Sequence, residues 1–434
     1  MQPELTGRKA DAGDKSEATA SMRKWFTAEF WTWLLVGVGV LIRLVEYARN
    51  RPVYVDERLL LKNLTQLSVF DFQTILTEDQ LAPPAFLVVE RLLVRLPFPD
   101  VQTARLVPLL CGIASMFLMR SVARRFVLPH GVPIAVGLFA LNDWLIYYAS
   151  ELKQYSSDAA LTLVAFLLAA GPTEETGLMS PRRLLALAGF GVAGVWFSHP
   201  LALVLGGVGS YLVVRAALRG EWRVVARLSG VIVLWVCSFG FCFLVSRRIL
   251  SKGDFLWNWW DFAFLRIPPH SIADLERDFW QVVNILNNPS WVVMPLGVLT
   301  SVFVALGLFL LGGLSMGLRW RGGVYVLVAP ILFTLIASAL RQYPFHGRLL
   351  LFLIPSVHLL VGEGAAALSR RGGAIATFAL GAFLLAKPAG HVLWYQLVAT
   401  RFHGGFDSHG DLLPDVLDYL EQLHREFPRR RSSP

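Results

Sequence analysis

Charge and cysteine are both scarce in this chain. Only 16% of its 434 residues are Asp, Glu, Lys or Arg, and three are cysteine. A soluble domain of this size carries roughly 25% charged residues, so an ordinary soluble fold is excluded. Cys111, Cys237 and Cys242 all stand inside apolar runs, where they offer neither a disulfide framework nor metal-ligand spacing. Walker loop, dinucleotide fingerprint and nucleophile elbow are missing too, which removes the nucleotide-dependent and serine-hydrolase classes those motifs mark. No small-residue cleavage site follows the first apolar run after Lys24, so that run reads as an uncleaved signal anchor. What is abundant is apolar surface: 55% hydrophobic residues and fourteen tryptophans, with a mean hydropathy of +0.53. The net charge of +9 does not signal nucleic acid, because the basic residues fall in short breaks between apolar runs.

Runs long enough to cross a bilayer occur at 30-46, 103-120, 131-148, 155-171, 183-198, 200-218, 226-246, 291-312, 323-340, 349-367 and 373-388. The expected fold is therefore all-α, a polytopic membrane bundle of about 11 transmembrane helices. Alternate breaks are rich in arginine: Arg120, Arg124 and Arg125; Arg182 and Arg183; Arg215, Arg219, Arg223 and Arg227; Arg319 and Arg321; Arg370 and Arg371. The positive-inside rule makes those breaks cytoplasmic, with the N-terminus in and the C-terminus out. Residues 1-29 are then expected as a disordered cytoplasmic segment, 30-388 as the transmembrane module, and 389-434 as a short extracytoplasmic tail with one helix. The long segments 47-102 and 247-290 fall on the outer side with that tail, which places function there.

Tyr54-Val55-Asp56-Glu57 opens the first outer loop just beyond the first span. A carboxylate at that boundary reaches both a lipid headgroup and a water-soluble acceptor, as a general base consuming a lipid-borne substrate must; it also simply balances Arg51 and Arg58. Residues 57-68 and 85-96 alternate at helical spacing, the pattern of amphipathic interfacial helices that either anchor the loop or roof a cavity over the acidic pair. Arg105 opens the second span, where snorkelling toward headgroups is its ordinary role.

Between Tyr147 and Asp158 a very short outer connection carries Glu151, Lys153 and Tyr155. Lys153 stands on the side the positive-inside bias disfavours, either paired with Glu151 or facing a lipid phosphate. Arg348, with Tyr343 and His346 before it, opens a late span on the same side. Its guanidinium fork suits a phosphate, or an acid of the first loop. His199 marks another outer turn, as structural hydrogen-bonder or site residue. Trp257, Trp259 and Trp260 form an aromatic belt on which sugars also stack. His403, Asp407, His409 and Asp411 lack a recognised ligand spacing, and no metal is assigned.

This arrangement resembles the GT-C superfamily of integral-membrane glycosyltransferases, in particular the bacterial branch related to protein O-mannosyltransferases and the lipid A aminoarabinose transferase. The resemblance rests on Asp56-Glu57 early in the first outer loop, and on Gln80-Leu81-Ala82-Pro83-Pro84-Ala85-Phe86 before an apolar helix. It rests also on Tyr147, Glu151, Lys153 and Tyr155 in a Tyr-x-x-x-Glu-x-basic-x-Tyr pattern, and on Arg348-Leu349-Leu350 leading to Pro355. Lys153 stands where many members carry arginine, and the tail is shorter than the outer domain of many relatives. The resemblance implies a GT-C-like bundle and an inverting transfer of sugar from a polyprenyl-phosphate-linked donor to an extracytoplasmic acceptor. It implies Asp56 and Glu57 as catalytic residues, Lys153, Arg348, His346, Tyr343 and Tyr155 as phosphate-binding candidates, and Glu151, His199 and Arg105 as further candidates. No cofactor is called for and a divalent metal has no support. The expected partners are the lipid-linked donor, an acceptor of unassigned class and membrane lipids, in a bacterial inner membrane. The alternative is a transporter or flippase of lipid-linked sugars, which would show charges near mid-membrane and two similar halves.

Overall fold

The structure, a computed structural model, describes residues 7–51, 53, 55–76, 80–96, 101–170, 180–250, 255–370 and 372–397. Tyr54 and the expected tail helix with its His403–Asp411 stretch lie outside the described residues. Within them every regular element is helical: α1 Gly7–Ala48, α2 Val55–Gln66, α3 Pro84–Leu93, α4 Val101–Ala104, α5 Leu106–Phe126, α6 Val132–Ala140, α7 Asp143–Tyr148, α8 Tyr155–Ala169 and α9 Pro181–Gly194. There follow α10 Leu201–Leu218, α11 Trp222–Ile249, α12 Phe255–Trp259, α13 Ile272–Val283, α14 Val298–Arg319, α15 Arg321–Ala339, α16 Ile354–Ser369 and α17 Gly373–Leu397.

Among the described residues, eight segments are long and apolar enough to cross a membrane: Ala28–Ala48 of α1, α5, α10, α11, α14, α15, Gly347–Ser369 ending in α16, and Ile375–Tyr395 of α17. The other three expected runs are shorter helices. Residues 131-148 split because α6 stops at Ala140 and α7 restarts at Asp143. Asn142 caps the new helix, its side chain accepting from Leu145 N at 2.9 Å, while its amide donates to the carbonyls of Pro289 and Ser290. The carbonyls freed at the end of α6, on Phe139 and Ala140, are taken by Arg43 from α1 at 3.3 and 3.2 Å. Both ends of the break are thus satisfied inside the bundle.

Two expected boundaries move. α1 begins at Gly7, within the polar stretch expected to lack structure; no proline interrupts the sequence from there to Ala48. α17 runs through Pro388 to Leu397, past the expected start of the tail, because Val392, Leu393 and Trp394 continue the apolar run.

The segment Gly347–Ser369 lies at the centre, with 94% of its most apolar window buried, and α16 within it packs on α14, α6, α17, α15 and α8. Its approach to α14 is a backbone contact. A Cβ at Gly312 would stand 1.9 Å from the carbonyl oxygen of Leu360, and one at Gly364 would stand 1.9 Å from that of Leu308. Glu363, buried on α16, accepts from Ser315 Oγ at 2.8 Å, Arg319 at 3.1 Å and Leu128 N at 2.7 Å, joining three elements.

The arginine-rich breaks gather at one end. Arg120 pairs with Glu29, Arg319 donates to Phe126 O at 2.7 Å, Arg125 to Leu167 O at 3.2 Å and Arg183 to Leu168 O at 3.0 Å. At the other end, Tyr47 at the close of α1 donates to Gln102 O at 2.8 Å and Arg49 to Tyr395 O at 2.9 Å. There α2 and α3 pack their apolar stripes on each other, Leu60 and Leu64 against Phe86 and Leu87, in a small core with Leu76, Ala104, Leu152 and Ile249. Leu60, Leu64, Phe86 and Leu87 of the first-loop helices face protein, whereas Leu92 and Leu96 stay exposed.

Candidate active site

α2 begins at Val55, so Asp56 and Glu57 occupy its first turn, where the exposed N–H groups favour negative charge. Consecutive helical side chains diverge by roughly 100°, and the two carboxylates meet different surroundings. Asp56 Oδ2 lies 2.7 Å from Arg348 Nη1, in a pair whose side chains are 22% and 28% exposed. Glu57 is fully buried.

Arg348 is placed by the turn Gly347–Leu353 that leads into α16; Gly347 has φ +48°, a left-handed conformation that favours glycine. Tyr343 holds the same turn, its hydroxyl donating to Leu349 O at 2.7 Å. Tyr148 and Tyr155 lie beside the guanidinium, with their rings edge to face at 4.7 Å. Lys153, buried in the α7–α8 connection, donates to Gln80 Oε1 at 2.8 Å and faces both Asp56 and Arg348. One accessible carboxylate therefore stands against two cations, brought together from three distant segments.

Burial would raise the Asp56 carboxyl, but Lys153 and Arg348 outweigh it, and the group is held below the usual carboxylate range. Burial depresses the Lys153 ammonium, with Asp56 only partly compensating. Asp56 is thus ionised at neutral pH.

Beneath this lies a second, enclosed charge cluster. Arg105 grips Glu57 with two bonds, Nε to Oε1 at 2.8 Å and Nη2 to Oε2 at 2.6 Å, and also donates to Arg51 O at 2.9 Å. The snorkelling role expected for Arg105 is corrected: it is 1% exposed, and the buried carboxylate is what makes an inward guanidinium tolerable. Leu152 N adds a third bond to Glu57 at 2.8 Å, fixing the connection that carries Lys153. Glu151 pairs with Arg51 at 3.1 Å, and Arg51 covers the Tyr147 ring at 4.0 Å. Burial and the neighbouring Glu57 push the Glu151 carboxyl up, whereas Glu57, buried but gripped by Arg105, is held down.

The remaining candidates lie around this centre or apart from it. His346 packs edge-on against Phe262 at 5.1 Å, near Trp260 at 6.4 Å, and burial lowers its pKa. His199 bonds Ser246 at 2.9 Å, with burial bringing it down to about 4; its partner is structural. Gln80 and Tyr148 emerge as neighbours that the sequence did not single out, although Gln80 belongs to the paired-proline segment. Glu90 on α3 is 0% exposed, and among the described residues neither of its oxygens has a hydrogen-bond partner. Among the described residues no group of three His, Cys, Asp or Glu side chains stands where it could hold a metal ion.

No protein-family model matches the chain, and no curated protein matches it in sequence. Among solved structures it is similar to the crystal structure of ArnT from Cupriavidus metallidurans in the apo state, with a TM-score of 0.48 and 17% identity, over 89% of this chain and 67% of that one.

Proposed function

We propose that the chain is an inverting membrane glycosyltransferase that moves a sugar from a polyprenyl-phosphate-linked donor to an acceptor on the extracytoplasmic side. The observation that carries the reading is the pairing of accessible Asp56 with Arg348 at 2.7 Å beside Lys153, at the end of the bundle opposite the arginine-rich breaks. Transfer from a sugar phosphate needs no strong general acid, because phosphate is already a good leaving group. It needs cations for the departing charge and one base for the acceptor proton.

The ion pair couples those two needs. When the donor phosphate arrives, Arg348 and Lys153 divide their attraction between it and Asp56, so the carboxylate gains basicity as the substrate is seated. Asp56 then takes the proton of the acceptor hydroxyl while its oxygen attacks the anomeric carbon. The bond from that carbon to the phosphate oxygen breaks, and the electron pair leaves on the carrier phosphate. A single carboxylate and direct displacement imply inversion. Glu57 works through Arg105 and Leu152 N as a positioning residue; Tyr155 and Tyr148 border the phosphate seat, and Tyr343 holds its turn.

The test is sugar transfer by the purified chain in nanodiscs, with Asp56→Asn and Arg348→Met compared with the parent. Asp56→Asn should lower the rate by ~10² to 10⁴ without loss of fold. Arg348→Met should weaken donor binding more than it lowers the melting temperature, since Asp56 keeps Lys153 as a second cation. Parent-like transfer by Asp56→Asn removes the base assignment, and donor translocation without transfer replaces the enzyme by a flippase.

A further inference from the structure

α13, in the 247-290 loop, is amphipathic in the opposite sense to a helix that packs on a core. Its inward face is polar. Asp274 accepts from Arg266 Nη1 at 2.9 Å, Ser271 Oγ at 3.0 Å and His270 N at 3.2 Å, after Ser271 caps the helix by accepting from Asp274 N at 3.1 Å. Asp278 accepts from Arg266 N at 2.8 Å and from Arg277. Gln281 donates to Ala263 O at 2.6 Å and Phe345 O at 3.1 Å. These side chains recur at i, i+4 and i+7, so one stripe of the helix is tied down by polar bonds.

The opposite stripe is apolar and open, with Ile272 85%, Leu275 60%, Phe279 46% and Trp280 37% exposed; Glu276 is also on this side, in the second turn. Water is a poor neighbour for such a surface. The stripe is continuous with a face whose surroundings are already settled: Trp280 meets Phe303 of α14 edge-on at 5.9 Å. Phe303 is five residues into that span, roughly 7 Å below its start at 1.5 Å per residue. Val298, Leu299 and Phe303 are themselves exposed on the outside of α14, as lipid-facing residues are. Trp259, Phe262 and Ile267 extend the apolar surface on the same loop, and Arg266 and Arg341, both more than half exposed, supply cations beside it.

We infer that α13 and the preceding aromatic turn are seated in the outer leaflet, with Ile272, Leu275, Phe279 and Trp280 among the acyl chains and the arginines at headgroup level. The partner is the bilayer itself. The seat has a mechanical link inward: Gln281 binds the carbonyl of Phe345, three residues before Arg348, and Phe345 N donates to Ala263 O at 2.8 Å. A bilayer-anchored helix thus braces the segment that carries the accessible arginine.

The experiment places an environment-sensitive fluorophore on Leu275→Cys and, as a comparison, on Gln73→Cys in the first loop, with the full chain in lipid nanodiscs; the parent chain gives the labelling background. Expected is severalfold weaker quenching by iodide at 275 than at 73, and strong quenching by lipids bearing a nitroxide high on the acyl chain. Equal access of iodide to both positions overturns the seat. Shielding at 275 without quenching by the nitroxide lipids, but with cysteine cross-linking between two copies, also overturns it, because the stripe is then covered by a second chain. The readout needs no sugar transfer, so it stands or falls apart from the enzymatic reading.

Discussion

Two carboxylates adjacent in sequence have opposite fates because one helical step turns one of them toward solvent and the other into the protein. Asp56 stays partly exposed beside Arg348, whereas Glu57 is closed in by Arg105 and Leu152 N. Glu57→Gln should therefore strip Arg105 of a buried counter-charge and lower stability by ~3 to 5 kcal/mol, read as a fall in melting temperature. Glu57 is held below its ordinary range, so its stabilisation is full above the unfolded value of ~4.3 and lost as pH falls through the lower folded value. The acid side of the parent's stability profile should flatten in the variant.

Glu90 is the reverse case. Burial raises it from 4.5 to about 9. Between those values the unfolded chain has released a proton that the folded chain retains, so this group makes stability fall as pH rises across that window. Glu90→Gln should raise the melting temperature at pH about 8 and remove that part of the slope; an unchanged slope would clear Glu90 of the effect. The sequence shows Lys153 and Arg348 as out-of-place cations, because the charge bias of membrane loops makes them conspicuous, and Asp56 by its place just beyond the first span. It hides the inward course of Arg105 and the isolation of Glu90, since partner choice depends on which side of a helix meets which neighbour.

At the scale of elements, eight of the eleven expected spans are long enough to cross a membrane and three are not, and the split of 131-148 depends on Arg43 reaching from α1 and Asn142 reaching to Ser290. Neither contact has a local signature. Periodicity also tells that a helix has two faces without telling which one meets protein. For that reason the periodicity of the first-loop helices leaves open whether they anchor the loop or cover the acidic pair; in the structure α2 and α3 pack on each other, while α13 exposes its apolar stripe. The approach of α14 to α16 is carried by glycine: Gly364→Ala puts a methyl against the Leu308 carbonyl and should cost ~1 to 3 kcal/mol. The same change at Gly307, where a Cβ meets nothing within 4 Å, is the control for helix propensity, and equal melting temperatures for the two variants would contradict the contact.

Across the whole molecule, the gathering of arginine-rich breaks at one end supports the proposal that this end is cytoplasmic and the Asp56 end faces out. An impermeant maleimide applied to intact cells should label Gln73→Cys and leave Arg223→Cys unlabelled until lysis. The converse pattern would turn the molecule over and move the site to the cytoplasm.

The central place of the Gly347–Ser369 segment also sets an order in time. A ribosome releases Asp56 and Lys153 early and Arg348 late, after most of the bundle has entered the membrane. Until that late segment fills the slot between α14, α6 and α8, the nascent chain holds Asp56 and Lys153 without Arg348. Completion of the site and closure of the bundle are then one event. A chain whose translation stops short of it keeps an unfilled apolar seam along α14 and α6.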